Sequence, residues 1–332
     1  MNPTKTAVIC DSGCDVSAAL AAKFDIRIVP LTIHYHDRAY TDTELEQSNP
    51  LYVYRHFDEE VPKTAAINAA EVLDVIEAAH ADGYENFICV AISGAMSSTF
   101  QSMHLALGEY REEHPQSKVY AFDTKNISMG SGIFAVYAAR ELAAGRDFDS
   151  LTKALESKIY DVRLGYYMNT LDYLKKGGRI TPSVALVGKI LNIKPIISCT
   201  REGVYYTVAK LRGAARGVEK LVDYVLPAGT DVSKCWIVIL NGDGKAGAEH
   251  AKKLILERFP NANIIEEKQI VSSLAIHTGP GLVGIVAFDL GGAVQLDPVQ
   301  QHLENLEQKA AKVADTISYT NEKIGERLNQ RK

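Results

Sequence analysis

The chain has 332 residues, of which 46% are hydrophobic and 23% charged, a composition typical of a globular protein long enough for two domains. Its formal net charge is −5, and its basic residues form no sustained run. Both features argue against broad electrostatic binding to nucleic acid or to an anionic membrane surface. We therefore expect no nucleic-acid partner.

The cysteines and the apolar runs indicate the cellular compartment in which we expect the protein. Five cysteines are spread along the chain, and only Cys10 and Cys14 lie close together. Their spacing fits neither a disulfide framework nor a thioredoxin-type pair, and no second Cys/His pair completes a metal site. The N-terminus has no leader pattern, and no stretch reaches the roughly 18 apolar residues that a membrane span requires. We expect a cytoplasmic protein with reduced cysteines, no metal, no cofactor and no integral membrane segment.

The first half of the chain alternates apolar runs with segments of helical spacing. The runs predict strands at Ala7–Cys10, at Arg27–Tyr35 with the preceding Ile26, at Phe87–Ile92 and at Val119–Phe122. The segments between them predict helices at Val16–Lys23, Ala69–Ala81, Thr99–Glu113 and Gly130–Ala144. Such alternation predicts a parallel sheet with helices on both faces, in which ligands bind beyond the carboxyl ends of the strands.

The second half has more strands and predicts a mixed sheet. Strands are expected at Asp161–Tyr167, Ile196–Cys199, Val204–Leu211, Cys235–Leu240, Asn263–Ile270 and Leu282–Phe288. Helices are expected near 149–159, 213–226 and 245–258. We therefore predict an N-terminal parallel α/β domain at 1–150 and a C-terminal mixed-sheet α/β sandwich at 151–290, with the boundary near the polar break at 145–147.

The last part of the chain, 291–332, is a predicted helical extension. From Pro298 onward, apolar residues fall on one helical stripe and charged residues on the other face. Two interpretations stay open: a helix packed on its own domain, and a helix that binds a partner or a second copy in a homodimer.

Two loops in the first half are rich in hydroxyl groups. Thr64 follows a turn and precedes a predicted helix, where its hydroxyl could donate to a bound carboxylate. The loop Ser93–Ser102 has four hydroxyls within seven residues, more than one helix start needs for capping. Ser97, Ser98 and Thr99, with the backbone N–H groups of that helix start, predict a cradle for an anionic head group.

Three further candidates each have a structural interpretation beside the functional one. Ser128 lies in a glycine-containing loop that lacks any nucleotide-binding pattern. Arg179 follows a predicted helix end whose glycines and lysines are explained by capping, which leaves the arginine unexplained. His277 precedes a predicted buried strand, where a histidine is more typical of a satisfied structural group than of a ligand.

Seven motifs follow one another in an order that, taken together, is similar to the DegV family over roughly residues 5–290. They are Asp11-Ser12, Lys63-Thr64, Ser93–Ser102, Asp123–Gly132, Leu171–Ile180, Leu191–Pro195 and His277–Gly281. The resemblance implies two α/β domains with a long-chain fatty acid, of the palmitate, stearate or oleate class, in a tunnel near their interface. It also implies a binding subunit without its own catalysis, which presents the acyl carboxylate to a separate fatty acid kinase protein.

The resemblance also implies roles for the candidate residues. Thr64 and Ser97 match carboxylate-binding hydroxyls, His277 matches a head-group residue, and Arg179 matches a basic group near the pocket mouth. The chain departs from the family pattern at Ala65, where serine is common, and at Ser98, where the family commonly has glycine. These departures bear on the width of the head-group site and on the preferred acyl chain.

An enzyme is the alternative function. Ser97 and His277 could serve an acyl hydrolase if a third residue oriented the imidazole, although no GxSxG elbow is present. A small-molecule kinase subunit is the other version, and the missing phosphate-binding loop argues against it.

Overall fold

A four-stranded parallel sheet organises the first half of the chain. The computed structural model describes residues 2–43, 50–180, 193–212 and 216–291. In chain order, the elements of this half are β1 Thr6–Asp11, α1 Ala18–Phe24, β2 Ile26–Val29, β3 Thr32–His34, β4 Ala39–Thr41, α2 Leu51–His56, β5 Lys63–Ala65, α3 Ala69–Ala81, β6 Asn86–Ala91, α4 Thr99–Glu113, β7 Val119–Asp123 and α5 Met129–Ala143. The sheet has the order β2-β1-β6-β7, and each of its pairings is parallel, which confirms the predicted architecture.

The predicted strand at Arg27–Tyr35 is wrong in extent. The chain leaves the parallel sheet after Val29 and re-forms a strand at Thr32, in a separate three-stranded antiparallel sheet of order β4-β3-β5. Pro30 lies at the break, and proline has no N–H to donate to a ladder. The small sheet matters for the site because its strand β5 carries Thr64.

A six-stranded mixed sheet organises the second half, as predicted. Its elements are α6 Phe148–Lys158, β8 Val162–Tyr167, α7 Asp172–Lys176, β9 Ile193–Cys199, β10 Tyr205–Arg212, α8 Gly217–Val225, β11 Cys235–Gly242, α9 Lys245–Arg258, β12 Asn263–Gln269, α10 Ser272–Thr278 and β13 Leu282–Asp289. The strand order is β10-β9-β8-β13-β11-β12, in which only the β11–β12 pair is parallel.

Helix α5 packs against both large sheets. Phe134, on α5, makes edge contacts with Phe122 of β7 and Phe288 of β13, at a centroid distance of 5.2 Å in each case. Most of the helix is buried. Aromatic pairs of this kind add stability beyond the apolar area they bury. The two sheets therefore share one hydrophobic core through α5.

Two expectations concern the chain as a whole. Within the described ranges, no helix is long and apolar enough to cross a membrane. The predicted helical extension at 291–332 lies, apart from Gly291, outside the described residues.

Candidate functional site

A pocket of about 550 Å³, partly open to solvent, lies where several predicted loops meet. It is lined by Leu31, Thr64, Ala65, Ala66, Ile92, Met96, Ser97, Ile127, Arg179, Tyr205, Ser273, Leu274, His277 and Thr278. Ile92 directly follows β6, and Ile127 lies in the loop after β7. The pocket therefore lies beyond the carboxyl ends of parallel strands, the place expected for a ligand in such a sheet.

A second, smaller and mostly apolar cavity adjoins the pocket. Four residues, Ile127, Tyr205, Leu274 and Thr278, line both cavities. The remaining lining is mostly apolar and comes from Ser128, Tyr166, Met168, Leu174, Ile197, Ile270 and Leu282. Together the two cavities form a path with a polar end and an apolar end.

A depression that is partly open to solvent adjoins the polar end. Its lining includes Lys63, Lys176 and Arg179, and it shares Thr64, Arg179 and His277 with the pocket. A charged group held at this end would therefore lie near solvent and near three basic side chains, while an attached hydrocarbon chain would lie inside the protein.

Thr64 and His277, 213 residues apart in sequence, form a hydrogen-bonded pair at the polar end. Thr64 Oγ1 lies 3.0 Å from His277 Nε2. Burial, and secondarily the positive charge of Arg179, lower the pKa of His277 to about 4, so the imidazole is neutral at pH 7. A neutral imidazole leaves the positive charge of the site to Arg179.

The surroundings of His277 Nδ1 decide which nitrogen carries the proton. Nδ1 is buried and has no hydrogen-bond partner among the described residues. It faces Gly177, where a Cβ would stand only 2.0 Å away. Protonation at Nδ1 would bury an unpaired N–H, whereas protonation at Nε2 leaves only a lone pair unpaired. We therefore assign the proton to Nε2, which donates to Thr64 and leaves the threonine hydroxyl proton free for a ligand.

The Ser93–Ser102 loop brings one of its three candidate residues to the pocket. Ser97 lines the pocket, and its hydroxyl shares a hydrogen bond of 2.9 Å with Thr99 Oγ1. Thr99 is buried at the start of α4 and lies outside the lining, so it orients Ser97. Ser98 is exposed and also outside the lining.

Arg179 and Ser128 lie at different depths. Arg179 lines the pocket, and its Nη1 donates to the backbone oxygen of Gly177 at 2.9 Å. Ser128 lines the deeper cavity, but its hydroxyl donates to Asp15 Oδ2 at 2.6 Å. Ser128 is therefore placed for a structural contact rather than for a head group.

Sequence reasoning missed α10, the short helix that carries Ser273, Leu274 and Thr278 to the pocket. His277 precedes the strand β13, as predicted, and lies in the last turn of this helix. The two serines that precede the apolar run Leu274–Ile276 are a helix-start signal that could have revealed it. Tyr205 also lines the pocket, and nothing in its strand pattern marked it.

Fold and site together define a class: an α/β protein with a parallel sheet, a mixed sheet and an apolar cavity that ends in a hydroxyl–imidazole pair. The family model described as uncharacterised protein, DegV family, matches residues 5–290. A DegV domain-containing protein of Clostridium perfringens is 35% identical over 282 residues, which cover 85% of this chain and 97% of the relative. The chain belongs to the DegV family, as its motif order predicted.

Solved structures share the fold. A Thermotoga maritima protein, described as revealing a fatty acid binding function, has a TM-score of 0.74 at 23% identity, covering 86% of this chain and 100% of that one. The fatty acid kinase B3 protein of Streptococcus pneumoniae, loaded with linoleic acid, has a TM-score of 0.74 at 22% identity and covers 86% and 99%. This chain thus shares its fold with a protein described as having a fatty acid binding function and with one loaded with linoleic acid.

Proposed function

We propose that the protein binds a long-chain fatty acid, with the acyl chain in the two joined cavities and the carboxylate at the polar end. The observation that carries the proposal is the Thr64–His277 pair, which stands at the open end of an otherwise mostly apolar path. Thr64 and Ser97 offer hydroxyl donors there, and Arg179 offers a positive charge.

The energetics favour this division of roles. Each methylene that moves from water into an apolar cavity contributes about 0.8 kcal/mol, so the acyl chain supplies most of the affinity before the cost of association. A carboxylate is expensive to bury without donors. Hydroxyl donors near the mouth therefore set which head group binds and in which direction the chain enters.

We further propose that the protein presents the bound carboxylate to a separate kinase and does not catalyse a reaction alone. The similarity to the Streptococcus pneumoniae fatty acid kinase B3 protein supports this role. The basic depression around the pocket mouth supports it as well, because a phosphate donor brought by a partner would meet Lys63 and Lys176 there.

Two contacts argue against the acyl hydrolase. Ser97 Oγ is bonded to Thr99, and His277 Nε2 is bonded to Thr64, so the two residues do not form a nucleophile–base pair. No carboxylate of the described residues is bonded to Nδ1, the position of the orienting residue in a triad. If the wild-type protein nevertheless hydrolyses acyl esters and Ser97→Ala abolishes that activity, the binding proposal is wrong.

Thr64→Val tests the head-group site, because valine keeps the shape and removes the hydroxyl. We expect Thr64→Val to weaken oleate binding about tenfold, the effect of one hydrogen bond to a charged group, and to leave oleyl alcohol binding nearly unchanged. Fluorescent-ligand displacement measures both affinities. Thr32→Val is the matched control, since Thr32 lies on the neighbouring strand opposite Ala65 and outside the pocket lining. Equal affinity of the wild-type protein for acid and alcohol would refute the proposal.

A further inference from the structure

Helix α10 carries His277, and buried carboxylates from distant parts of the sequence hold its first turn. Asp42 accepts hydrogen bonds from the backbone N–H of Ser273, at 2.8 Å, and from the Ser273 hydroxyl, at 2.5 Å. Asp15 accepts one from the backbone N–H of Val271, at 3.1 Å. Asp15 and Asp42 are 0% and 1% exposed, so water cannot take over these bonds if either side chain is removed.

Asp15 is fixed by further side chains. Lys268 Nζ lies 2.7 Å from Asp15 Oδ1, and the Ser128 hydroxyl donates to Oδ2 at 2.6 Å. Lys268 precedes α10 in sequence, and Ser128 lines the deeper cavity. Asp15 therefore connects the start of α10, through Val271, with Ser128 in the lining of the deeper cavity.

Asp42 has no cation within ion-pair distance among the described residues. Its oxygens accept hydrogen bonds from Ser273 instead. A buried carboxylate without a counter-charge is unfavourable for stability, so a hydrophobic residue would suit a purely structural position better. What the carboxylate provides here is two strong acceptors directed at one residue of α10.

The position of Ser273 controls that of His277. The two residues are four apart in a helix of seven residues, so they lie one turn apart on the same side. A shift at Ser273 that displaces the helix as a whole would displace the imidazole of His277 with it. The Thr64–His277 bond of 3.0 Å would lengthen beyond hydrogen-bonding range after a displacement of roughly half an ångström or more.

We infer that Asp42 is a positioning residue of the head-group site: through Ser273 it holds α10 where His277 meets Thr64. The inference rests on the proposed function, because it assigns Asp42 to recognition of the carboxylate and not of the acyl chain. Loss of the anchor misplaces His277 at the polar end, while the mostly apolar cavity behind it keeps its lining.

The test compares affinities for oleate and oleyl alcohol in the full-length protein. Asp42→Ala should weaken oleate binding about tenfold and alcohol binding less than about threefold. The reason is that a misplaced His277 no longer orients Thr64, so the hydrogen bond from Thr64 to the charged carboxylate is lost. Asp42→Asn should restore oleate binding to within about threefold of wild type, because its Oδ1 still accepts from the Ser273 N–H and its amide donates to the hydroxyl. Asp289→Ala is the matched control, a buried carboxylate that accepts from Gly291 and lies outside both cavities.

Each outcome decides the question. Equal losses for acid and alcohol in Asp42→Ala would show a purely structural role and overturn the inference, as would unchanged affinities. If Asp42→Ala does not fold, Asp42→Ser replaces it, since its shorter side chain withdraws both carboxylate oxygens from Ser273 and should weaken oleate selectively by at least about threefold. A wild-type protein that does not distinguish the acid from the alcohol would refute the proposed function itself, a result visible before any variant is measured.

Discussion

The charge of His277 depends on its burial. Its pKa is lowered to about 4, first by burial and then by Arg179, so it is neutral where an unfolded chain with the ordinary value of 6.5 begins to be protonated. A neutral imidazole can donate a hydrogen bond to Thr64, whose hydroxyl then donates to a ligand. Because it is uncharged, it does not repel Arg179. The same shift links the free energy of unfolding to pH.

His277→Gln reveals this linkage. Between pH 6.5 and pH 4 the unfolded wild-type chain takes up a proton that the folded protein refuses, so the wild type loses stability relative to the variant as pH falls through this range. The loss should amount to roughly 1–3 kcal/mol, and above pH 7 the difference should be constant. Urea unfolding of the ligand-free proteins at several pH values measures it.

The comparison with the variant is its own control. Burial raises the pKa of Asp11 and of Asp42 to about 6, which makes both proteins gain stability as pH falls from 6. These contributions cancel in the difference between wild type and His277→Gln. A difference that is flat with pH, or that grows in favour of the wild type towards pH 4, would contradict a lowered pKa of His277.

Elements with strong local signals were predictable from sequence, and elements set by tertiary contacts were not. Helix α3 was predicted at the observed residues, and Asn68 and Glu71 form a capping box at its start. The strand Arg27–Tyr35 was mispredicted because its apolar pattern continues across Pro30. Helix α10 was missed because its seven residues are mostly buried and show no amphipathic pattern.

Two helical glycines that look alike in sequence should respond oppositely to alanine. At Gly132, in α5, a Cβ would stand 2.2 Å from the backbone oxygen of Cys14, so Gly132→Ala must push the helix away from the loop after β1. At Gly108, in α4, a Cβ would meet nothing within 4 Å. We expect Gly132→Ala to lower the free energy of unfolding by about 2 kcal/mol or more and Gly108→Ala to raise it by about 0.5–1 kcal/mol.

Chemical denaturation at neutral pH measures both variants against the wild type. The pair controls itself, because each substitution adds one methyl group to a helix of 15 residues. Equal effects at the two positions would mean that α5 does not approach the Cys14 loop closely.

At the scale of the whole molecule, the site depends on topology that local patterns do not encode. Thr64 and His277 lie 213 residues apart and meet because a small antiparallel sheet and a short helix converge at the polar end of one cavity. Spacing and periodicity identified the hydroxyl-rich loops but not their convergence. Only the resemblance to the DegV family pointed to Thr64, Ser97 and His277 together, and the structure brings these three to one pocket. It leaves Ser98 outside that lining.

The C-terminal residues should be dispensable for ligand binding. Every lining residue that the structure describes lies between Leu31 and Thr278, and the DegV family match ends at residue 290. A variant that ends after Gly291 keeps the Gly291–Asp289 bond that closes the last strand. We expect its oleate affinity to stay within about twofold of the full chain, since the truncation keeps all the described lining residues of both cavities.

Light scattering on the same two proteins tests the homodimer hypothesis for residues 291–332. If these residues join two copies, truncation should convert a dimer into a monomer, so the particle mass should fall to about half of the dimer mass, less the mass of the removed segment. If they form a helix that packs on its own domain, truncation should leave the oligomeric state unchanged. Oleate affinity separates this role from the site, because binding should survive in either case. A truncated protein that is folded but has lost oleate binding would mean that the C-terminal segment contributes residues to the pocket. The binding site would then include residues beyond Gly291.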